Sequence, residues 1–330
     1  MGDSRIVVGE RLQNLMKYVP YERLIIITDT NVWHHYQEVF PPCEAIRIGT
    51  GENIKTLETV HDIYERLLEI EADRSSFVVG VGGGIVCDIA GFVASTYLRG
   101  LRFGFVSSTL LAQVDASVGG KNGVNFHGYK NMVGVFNQPE FVICDIKLLR
   151  TLPEKELLCG FAEIVKHAAI ADVRLFAFLE KGYEKAFELD EAFIERLVYD
   201  SVTIKSSVVN SDEREEGERK KLNFGHTFGH ALEKTTGMSH GEAVSVGMVV
   251  ASMLSVRRGL LREDEAGRIG ALLRKLRLPT EVPFDRRKVI EALKRDKKRQ
   301  GDRLSFVLLQ GLGNAVVDEI SMEELSGLSF

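Results

Sequence analysis

Three histidines in one stretch, Leu222 to Gly247 (LNFGHTFGHALEKTTGMSHGEAVSVG), carry the strongest chemical signal in this chain. His226 and His230 are four residues apart, so on a helix both project from one face. His240 stands in a Ser-His-Gly-Glu sequence of the kind that begins a helix. A carboxylate from elsewhere in the chain would complete a His-His-Glu/Asp set with room for substrate oxygens, as in catalytic zinc sites. A histidine pair on a helix also occurs with no ligand, so this segment alone leaves a packing role open.

A second group of residues points to a nucleotide. Gly82-Gly83-Gly84 follows an apolar run and precedes an amphipathic one. Glycines at such a turn let the backbone approach a ligand, and free N–H groups at a helix start favour phosphate. The run lacks both the G-x-G-x-x-G fingerprint and the GK[ST] ending of a P-loop. Asp29 and Asn31 close an earlier apolar run where polar groups can reach a nucleotide sugar, and Glu52 and Lys55 follow the next one. Leu110 to Asn131 (LLAQVDASVGGKNGVNFHGYKN) sets Asp115, Lys121, Lys130 and Asn131 among glycines and amides, a composition suited to cradling an anion. A bare βα turn and a surface linker are the bland alternatives for these two segments.

The elements that must hold these groups follow from periodicity. Short β-branched runs at Arg5–Gly9, Arg23–Thr28, Glu44–Ile48, Ser76–Val81, Arg102–Val106 and Phe141–Cys144 alternate with helical spacing at 56–71 and 88–97. Near-continuous apolar strands separated by helices predict a parallel sheet covered on both faces. No proline falls between Pro153 and Pro279, and that interval carries long amphipathic patterns at 154–169, 173–180, 190–210, 222–235, 241–257 and 263–276. Proline costs about 3 kcal/mol inside a helix, so its absence permits uninterrupted ones. At 330 residues the chain exceeds one ordinary core. The expectation is an α/β nucleotide-binding domain over 1–152 and a mainly α-helical metal- and substrate-binding domain over 153–330.

Composition excludes several classes. A formal charge of −5 gives no global attraction to nucleic acid or anionic lipid, and no apolar run approaches a membrane span. The locally basic stretch Glu291 to Asp302 has acids interspersed and suits a local anion site at most. Cys43, Cys87, Cys144 and Cys159 have no CxxC spacing, and reduced thiols are expected. No signal-like segment opens the sequence, so the cytoplasm is the expected compartment.

With these blocks in hand, the chain resembles the 3-dehydroquinate synthases. The resemblance runs through GGGIVCDIAGFVASTYLRG (82–100), TLLAQVDASVGGKNGVN (109–125), KNMVGVFNQP (130–139), TLPEKELLCGFAEIVKHA (151–168), GERKKLNFGHTFGHALE (217–233), HGEAVSVGM (240–248) and DKKRQGD (296–302), covering almost the whole chain. It implies a shikimate-pathway carbon–oxygen lyase that turns 3-deoxy-D-arabino-heptulosonate 7-phosphate into 3-dehydroquinate and phosphate. It further implies NAD+ as a recycled cofactor, one divalent ion (Zn2+ or Co2+), and a homodimer.

Carried residue by residue, the resemblance assigns the metal to Glu163, His226 and His240, and gives His230 a phosphate-binding and proton-relay role. It groups Asp29, Asn31, Glu52, Lys55, Gly83, Gly84, Asp88, Ser108, Thr109, Lys121 and Lys130 with the dinucleotide. It groups Asp115, Lys121, Lys166, Lys205, Arg219, Asn223 and His230 with catalysis, and Asn131, Glu215 and Lys297 with substrate, Arg99 reaching across the dimer. Two departures stand out. Ser107-Ser108-Thr109 replaces the family's Pro-Thr-Thr, and the His230–His240 segment is short. Sibling sugar phosphate cyclases and metal- and NAD-dependent polyol dehydrogenases are the rival readings.

Overall fold

The computed structural model describes residues 4–20, 23–294, 299–300 and 303–326. It divides into two compact units, Met1–Leu157 with Glu191–Val202, and Leu158–Asp190 with Thr203–Phe330.

The first unit is built on β1 (Arg5–Val8), β2 (Leu24–Asp29), β3 (Glu44–Ile48), β4 (Phe77–Gly82) and β5 (Arg102–Ser107), with β6 (Lys121–Phe126), β7 (Tyr129–Phe136) and β8 (Phe141–Cys144). Six of these form one sheet in the order β1-β8-β5-β4-β2-β3, and every pairing is parallel. Burial on both faces explains the unbroken apolar runs: all of β4 and β8, and five of six positions of β2, are buried. The chain runs outward from β2 to β3 and then returns to the far side of β2 with β4. The order therefore reverses between β2 and β4, where open α/β sheets bind ligands beyond the carboxyl ends of their strands.

Helices α1 (Thr30–Tyr36), α2 (Leu57–Glu69) and α3 (Gly84–Thr96) follow β2, β3 and β4. In α2 the buried residues Val60, Ile63 and Leu67 keep helical spacing, and the Thr56 hydroxyl accepts the Thr59 N–H at 3.3 Å. The single tryptophan, Trp33, lies on α1 with Phe40 edge-on at 5.7 Å and the Arg47 guanidinium 5.2 Å from its ring centroid. The glycine-rich block after β5 contains an antiparallel hairpin, β6–β7, that periodicity does not reveal. Strand β6 is polar and glycine-containing and β7 is exposed at most positions, so the alternation that marks a half-buried strand is missing. The hairpin lies close on α3: a Cβ at Gly91 would stand 2.1 Å from the Asn122 side-chain oxygen.

The second unit contains residues of α4 (Glu154–Ala171), α5 (Val173–Phe187), α6 (Glu191–Ser211), α7 (His226–Thr236), α8 (His240–Arg257), α9 (Glu263–Lys275), α10 (Arg286–Lys294) and α11 (Met322–Ser326). Helix α6 and the start of α4 also carry residues of the first unit. Strands β9 (Arg299–Gln300), β10 (Arg303–Leu309) and β11 (Ala315–Ser321) add a small antiparallel sheet that sequence reasoning does not foresee. Its buried Leu304, Phe306, Leu308 and Ile320 complete a core with Phe228 and Leu232 of α7, Val246, Val250 and Leu254 of α8, and Val289 and Leu293 of α10.

The helix expected at 222–235 begins instead at His226. Residues Glu218–Asn223 form a 3-10 turn, and Gly225 precedes α7 in a left-handed conformation (φ 78°). Helices α7 and α8 approach along glycines. A Cβ on Gly247 would fall 1.9 Å from the Gly225 carbonyl oxygen, and one on Gly225 would fall 2.8 Å from the Met248 backbone nitrogen.

No side chain can yield at the Gly247 contact, because the obstructing atom is backbone. Gly247→Ala should destabilise the protein by about 2 kcal/mol or more, read as a lowered thermal midpoint. An unchanged midpoint would mean the two helices separate freely.

Candidate active site

Glu163, in the middle of α4, is fully buried. Its Oε1 lies 3.2 Å from His240 Nε2 and 3.5 Å from His226 Nε2, and its Oε2 pairs with the Lys166 ammonium one turn along. Lys166 is itself 1% exposed, so what could be read as a solvated helix edge is an interior ion pair. A buried carboxylate persists only when compensated, and Lys166 supplies one positive charge.

Both imidazoles present Nε2 to Glu163 because the opposite nitrogen is occupied. The Nδ1–H of His226 donates to the Phe224 carbonyl at 3.2 Å, and His240 Nδ1 stands 3.8 Å from Glu233 Oε2. Such outer partners fix the ring orientation that a metal requires. Locally, Gly225 starts α7 at His226. Gly237, left-handed, ends it, and Ser239 and Glu242 form a capping box that starts α8 at His240. The short connection of Gly237–Ser239 is therefore built to deliver His240 to Glu163.

The electrostatics differ between the two rings. Burial carries His226 well below the usual histidine value, with Lys166 adding to the effect. Burial works the same way on His240, but its hydrogen bond to Glu163 and the Glu233 carboxylate outweigh it and hold that ring at about 9.

The donor set suits a divalent ion. One ligand atom from each of Glu163, His226 and His240 lies within 4.8 Å of the others. Bonds of roughly 2.0 Å in tetrahedral geometry put ligand atoms about 3.3 Å apart, close to the separations seen at Glu163. Two nitrogens and one oxygen favour zinc or cobalt over magnesium or calcium and leave a fourth position for substrate oxygen. The helix pair His226–His230 is not the pair that faces Glu163. His230 is exposed one turn along α7, its ring centroid 5.4 Å from that of His226 and 6.3 Å from that of His240.

Among the described residues the second unit also buries Arg219 (3% exposed), in the 3-10 turn, and Lys205 (6%), on α6. Asn223 donates from Nδ2 to Glu215 Oε1 at 2.6 Å. Lys297 lies outside the described residues.

In the first unit Asp29, Glu52, Lys55, Gly83, Gly84, Ser108 and Thr109 stand at or just after the carboxyl ends of β2, β3, β4 and β5. Gly83 precedes α3 without any side-chain cap, so the first backbone N–H groups of that 13-residue helix are open to an anion. The turn is close-packed: a Cβ on Gly83 would meet Thr109 Cγ2 at 2.9 Å, and one on Gly84 would meet Ala116 Cβ at 2.8 Å. Ser108 N–H donates to the Gly82 carbonyl at 2.9 Å, and Thr109 Oγ1 accepts from Ala112 N–H at 3.1 Å. Ser107, which stands where the family has proline, is the last residue of β5, paired with Gly82 and Cys144, and its carbonyl accepts from Gln113 Nε2 at 3.0 Å.

Asp29 caps α1 through one oxygen, accepting Asn31 N–H and Val32 N–H at 2.8 Å each. Burial raises its carboxyl against the pull of those two donors. Lys55 is buried, its ammonium 2.5 Å from both Asp88 Oδ2 and Asn131 Oδ1. Since α3 starts at Gly84 and not at Asp88, Asp88 lies a turn inside the helix and serves Lys55 there. Glu52 Oε1 accepts from Asn125 Nδ2, and Asn125 Oδ1 accepts the Asn131 N–H, both at 2.8 Å.

Lys121 opens β6, Lys130 is exposed on β7, and Asp115 sits in a π-helical turn, Ala112–Ala116. Arg99 is exposed in a turn with positive φ at Leu98 (49°) and Arg99 (67°). Two participants were not among the sequence candidates. Glu233 was recoverable from its spacing three after His230. Asn125 depends on a hairpin that the sequence pattern hides.

Comparison with known proteins gives a family for both halves. Residues 45–159 match the model described as 3-dehydroquinate synthase N-terminal, and residues 160–299 match 3-dehydroquinate synthase C-terminal. A 3-dehydroquinate synthase of Geobacter metallireducens is 47% identical over 81% of this chain and 76% of its own length. That of Thermoanaerobacter pseudethanolicus is 41% identical over 98% of this chain and 93% of its own. Among solved structures, a 2-epi-5-epi-valiolone synthase from Streptomyces hygroscopicus with NAD+ and Zn2+ bound superposes with a TM-score of 0.89. It is 28% identical, over 98% of this chain and 94% of that one.

Replacing the central carboxylate tests the cluster directly. Glu163→Gln should lower zinc affinity about 100-fold or more, measured by chelator competition. The loss of thermal midpoint that chelation causes in the wild type should disappear with it. Retained affinity would place the ion elsewhere.

Proposed function

This chain belongs to the 3-dehydroquinate synthase family, and from that membership we propose how its residues divide the conversion of 3-deoxy-D-arabino-heptulosonate 7-phosphate into 3-dehydroquinate and phosphate. The observation that carries the proposal is a three-ligand cluster in the same unit as the buried cations Lys166, Lys205 and Arg219. A dehydrogenase acting on a neutral polyol needs the first and has no use for two of those cations. A substrate bearing a carboxylate and a phosphate needs both.

Glu163, His226 and His240 would hold the divalent ion, with Glu233 and the Phe224 carbonyl orienting the two imidazoles. The open N–H groups of Gly84 and its neighbours would take the dinucleotide pyrophosphate, and Asp29, Asn31, Glu52 and Thr109 would lie along its sugars. When bound, the ion would acidify a substrate hydroxyl and NAD+ would accept and later return one hydride, leaving no net redox change.

Arg219 offers a planar fork for the substrate carboxylate, whereas Lys205, Lys297 and His230 serve phosphate as point charges or donors. Ketone formation acidifies the adjacent C–H bond. That proton passes to a phosphate oxygen of the substrate itself, and phosphate then departs. His230 and Lys166 are the candidate relays for the remaining protons, and Asp115 orients a hydroxyl or Lys121. Asn223, held by Glu215, and Asn131, held by Lys55, fix hydroxyl positions while the ring opens and the aldol closes the carbocycle. The overall reaction is that of a carbon–oxygen lyase.

The reading includes the cytoplasm as the compartment, where four free cysteines, three of them buried, stay reduced. It also includes a homodimer. Phe126, Tyr129, Met132 and Phe136 are 43%, 61%, 58% and 55% exposed on β6–β7, an apolar concentration suited to a second copy. Arg99, on the same unit, would reach the neighbouring site.

Given zinc and NAD+, the protein should release phosphate and 3-dehydroquinate in equal amounts, with no NADH accumulating. Turnover only of sedoheptulose 7-phosphate or glucose 6-phosphate would make it a sibling cyclase, and NADH accumulating with a simple polyol would make it a dehydrogenase. In light scattering after gel filtration, the wild type should run as a dimer and the Met132→Lys/Phe136→Lys variant as a monomer. A variant that remains dimeric would move the interface off the hairpin.

A further inference from the structure

Residues 213–217 join the end of α6 to the 3-10 turn that carries Arg219 and Asn223. The sequence here, DEREEGER from Asp212 to Arg219, is strongly acidic for a segment assigned to an anionic substrate. The structure resolves that conflict by turning the first acid onto the backbone. Asp212 Oδ1 accepts the Glu216 N–H at 3.0 Å, and Oδ2 accepts the N–H groups of Gly217 at 2.7 Å and Arg219 at 3.0 Å.

An acidic side chain at the C-terminal end of a helix faces the negative pole of the helix dipole, so α6 itself gains nothing from Asp212. What it serves is the loop. The donors keep its carboxyl below the usual range, the Gly217 N–H contributing most, against burial. Inside the loop Glu215 holds a left-handed conformation (φ 63°), which a non-glycine residue adopts only when its surroundings impose it. The Glu215 carboxylate receives Asn223, and the Arg219 guanidinium donates to the Glu213 carbonyl.

We propose that Asp212 is a positioning residue for substrate binding: its carboxylate, bonded to three backbone N–H groups, folds the 213–219 loop so that Arg219 presents one arrangement to the substrate. The proposal rests on the reading of Arg219 as the carboxylate-binding residue. Asp212 need not touch substrate, and a simple role in loop stability would cost thermal midpoint without altering affinity selectively.

The test is steady-state kinetics of Asp212→Asn, whose amide nitrogen cannot accept a backbone N–H, beside Arg219→Lys and the double variant. Asp212→Asn should raise KM for 3-deoxy-D-arabino-heptulosonate 7-phosphate about tenfold or more, with kcat within about threefold of wild type. Zinc content and thermal midpoint should stay near wild type. The double variant should bind no more than about twofold worse than Arg219→Lys alone, because Asp212 acts through Arg219.

An unchanged KM in folded, zinc-loaded Asp212→Asn, or losses that multiply in the double variant, would overturn the proposal while leaving Arg219 in its role. A wild-type KM in Arg219→Lys would remove that role, and the positioning proposal with it. Should Asp212→Asn not fold, Asp212→Glu, which displaces the carboxylate by one methylene, is read by the same criteria.

Discussion

The second unit is organised around one buried negative charge. Moving a carboxylate from water into a dry interior costs on the order of 20 kcal/mol in the idealised limit and several after relaxation. Glu163 accepts that cost in the middle of a helix whose neighbouring positions, Ala162 and Ile164, are wholly buried and apolar. Lys166 one turn along and two imidazoles from other helices make the charge tenable. The imidazoles reach it only because α7 and α8 touch backbone to backbone at Gly225 and Gly247, and because the three-residue connection between those helices ends in a capping box. Helix packing and site chemistry are therefore one requirement. Loosening the helix contact would separate the ligands, and removing the two imidazoles would leave Lys166 as the remaining partner of Glu163 among those described above.

The first unit solves a different problem, that of keeping backbone donors open. A side-chain cap on α3 would satisfy the N–H groups that an anion needs, and Gly83 provides none. Charge is handled at a distance from that turn. Asp88, Lys55 and Asn131 form a neutralised chain that links α3 to the turn after β3 and to the β6–β7 hairpin. Glu52 and Asn125 extend it. The polar residues at the strand ends thus serve two purposes, some holding loops together and others left to meet a ligand.

This duality explains what the sequence disclosed and what it withheld. The parallel sheet was legible because both faces of β2, β4 and β8 are buried and the strands read as apolar runs. The long helices were legible from spacing and from the lack of proline. The β6–β7 hairpin was hidden because Asn122, Gly123 and Asn125 serve hydrogen bonding and close approach, leaving no alternation to detect. The β10–β11 sheet was masked by the helical texture around it. At the site, helix spacing alone pairs His226 with His230, and it was the resemblance that grouped Glu163 with His226 and His240. His226 and His230 share a helix face, yet His240, fourteen positions after His226, stands beside His226 at Glu163, because tertiary contact between α7 and α8 overrides spacing. Lys55 and Asp88 carried the right chemical types for a dinucleotide site, but only coordinates reveal that they face each other.

Trp33 gives the first unit an optical consequence. As the only indole in the chain it is the sole source of tryptophan emission, so that emission reports on one short helix and its immediate neighbours. That helix is capped by Asp29, beside the point where strand order reverses, and the indole is flanked by a guanidinium and a phenyl ring whose positions set its polarity. Reduced nicotinamide absorbs in the range where indoles emit. On the proposed reaction, in which the dinucleotide is recycled, Trp33 would be a native donor for energy transfer to the reduced cofactor, and its emission would follow turnover without any label.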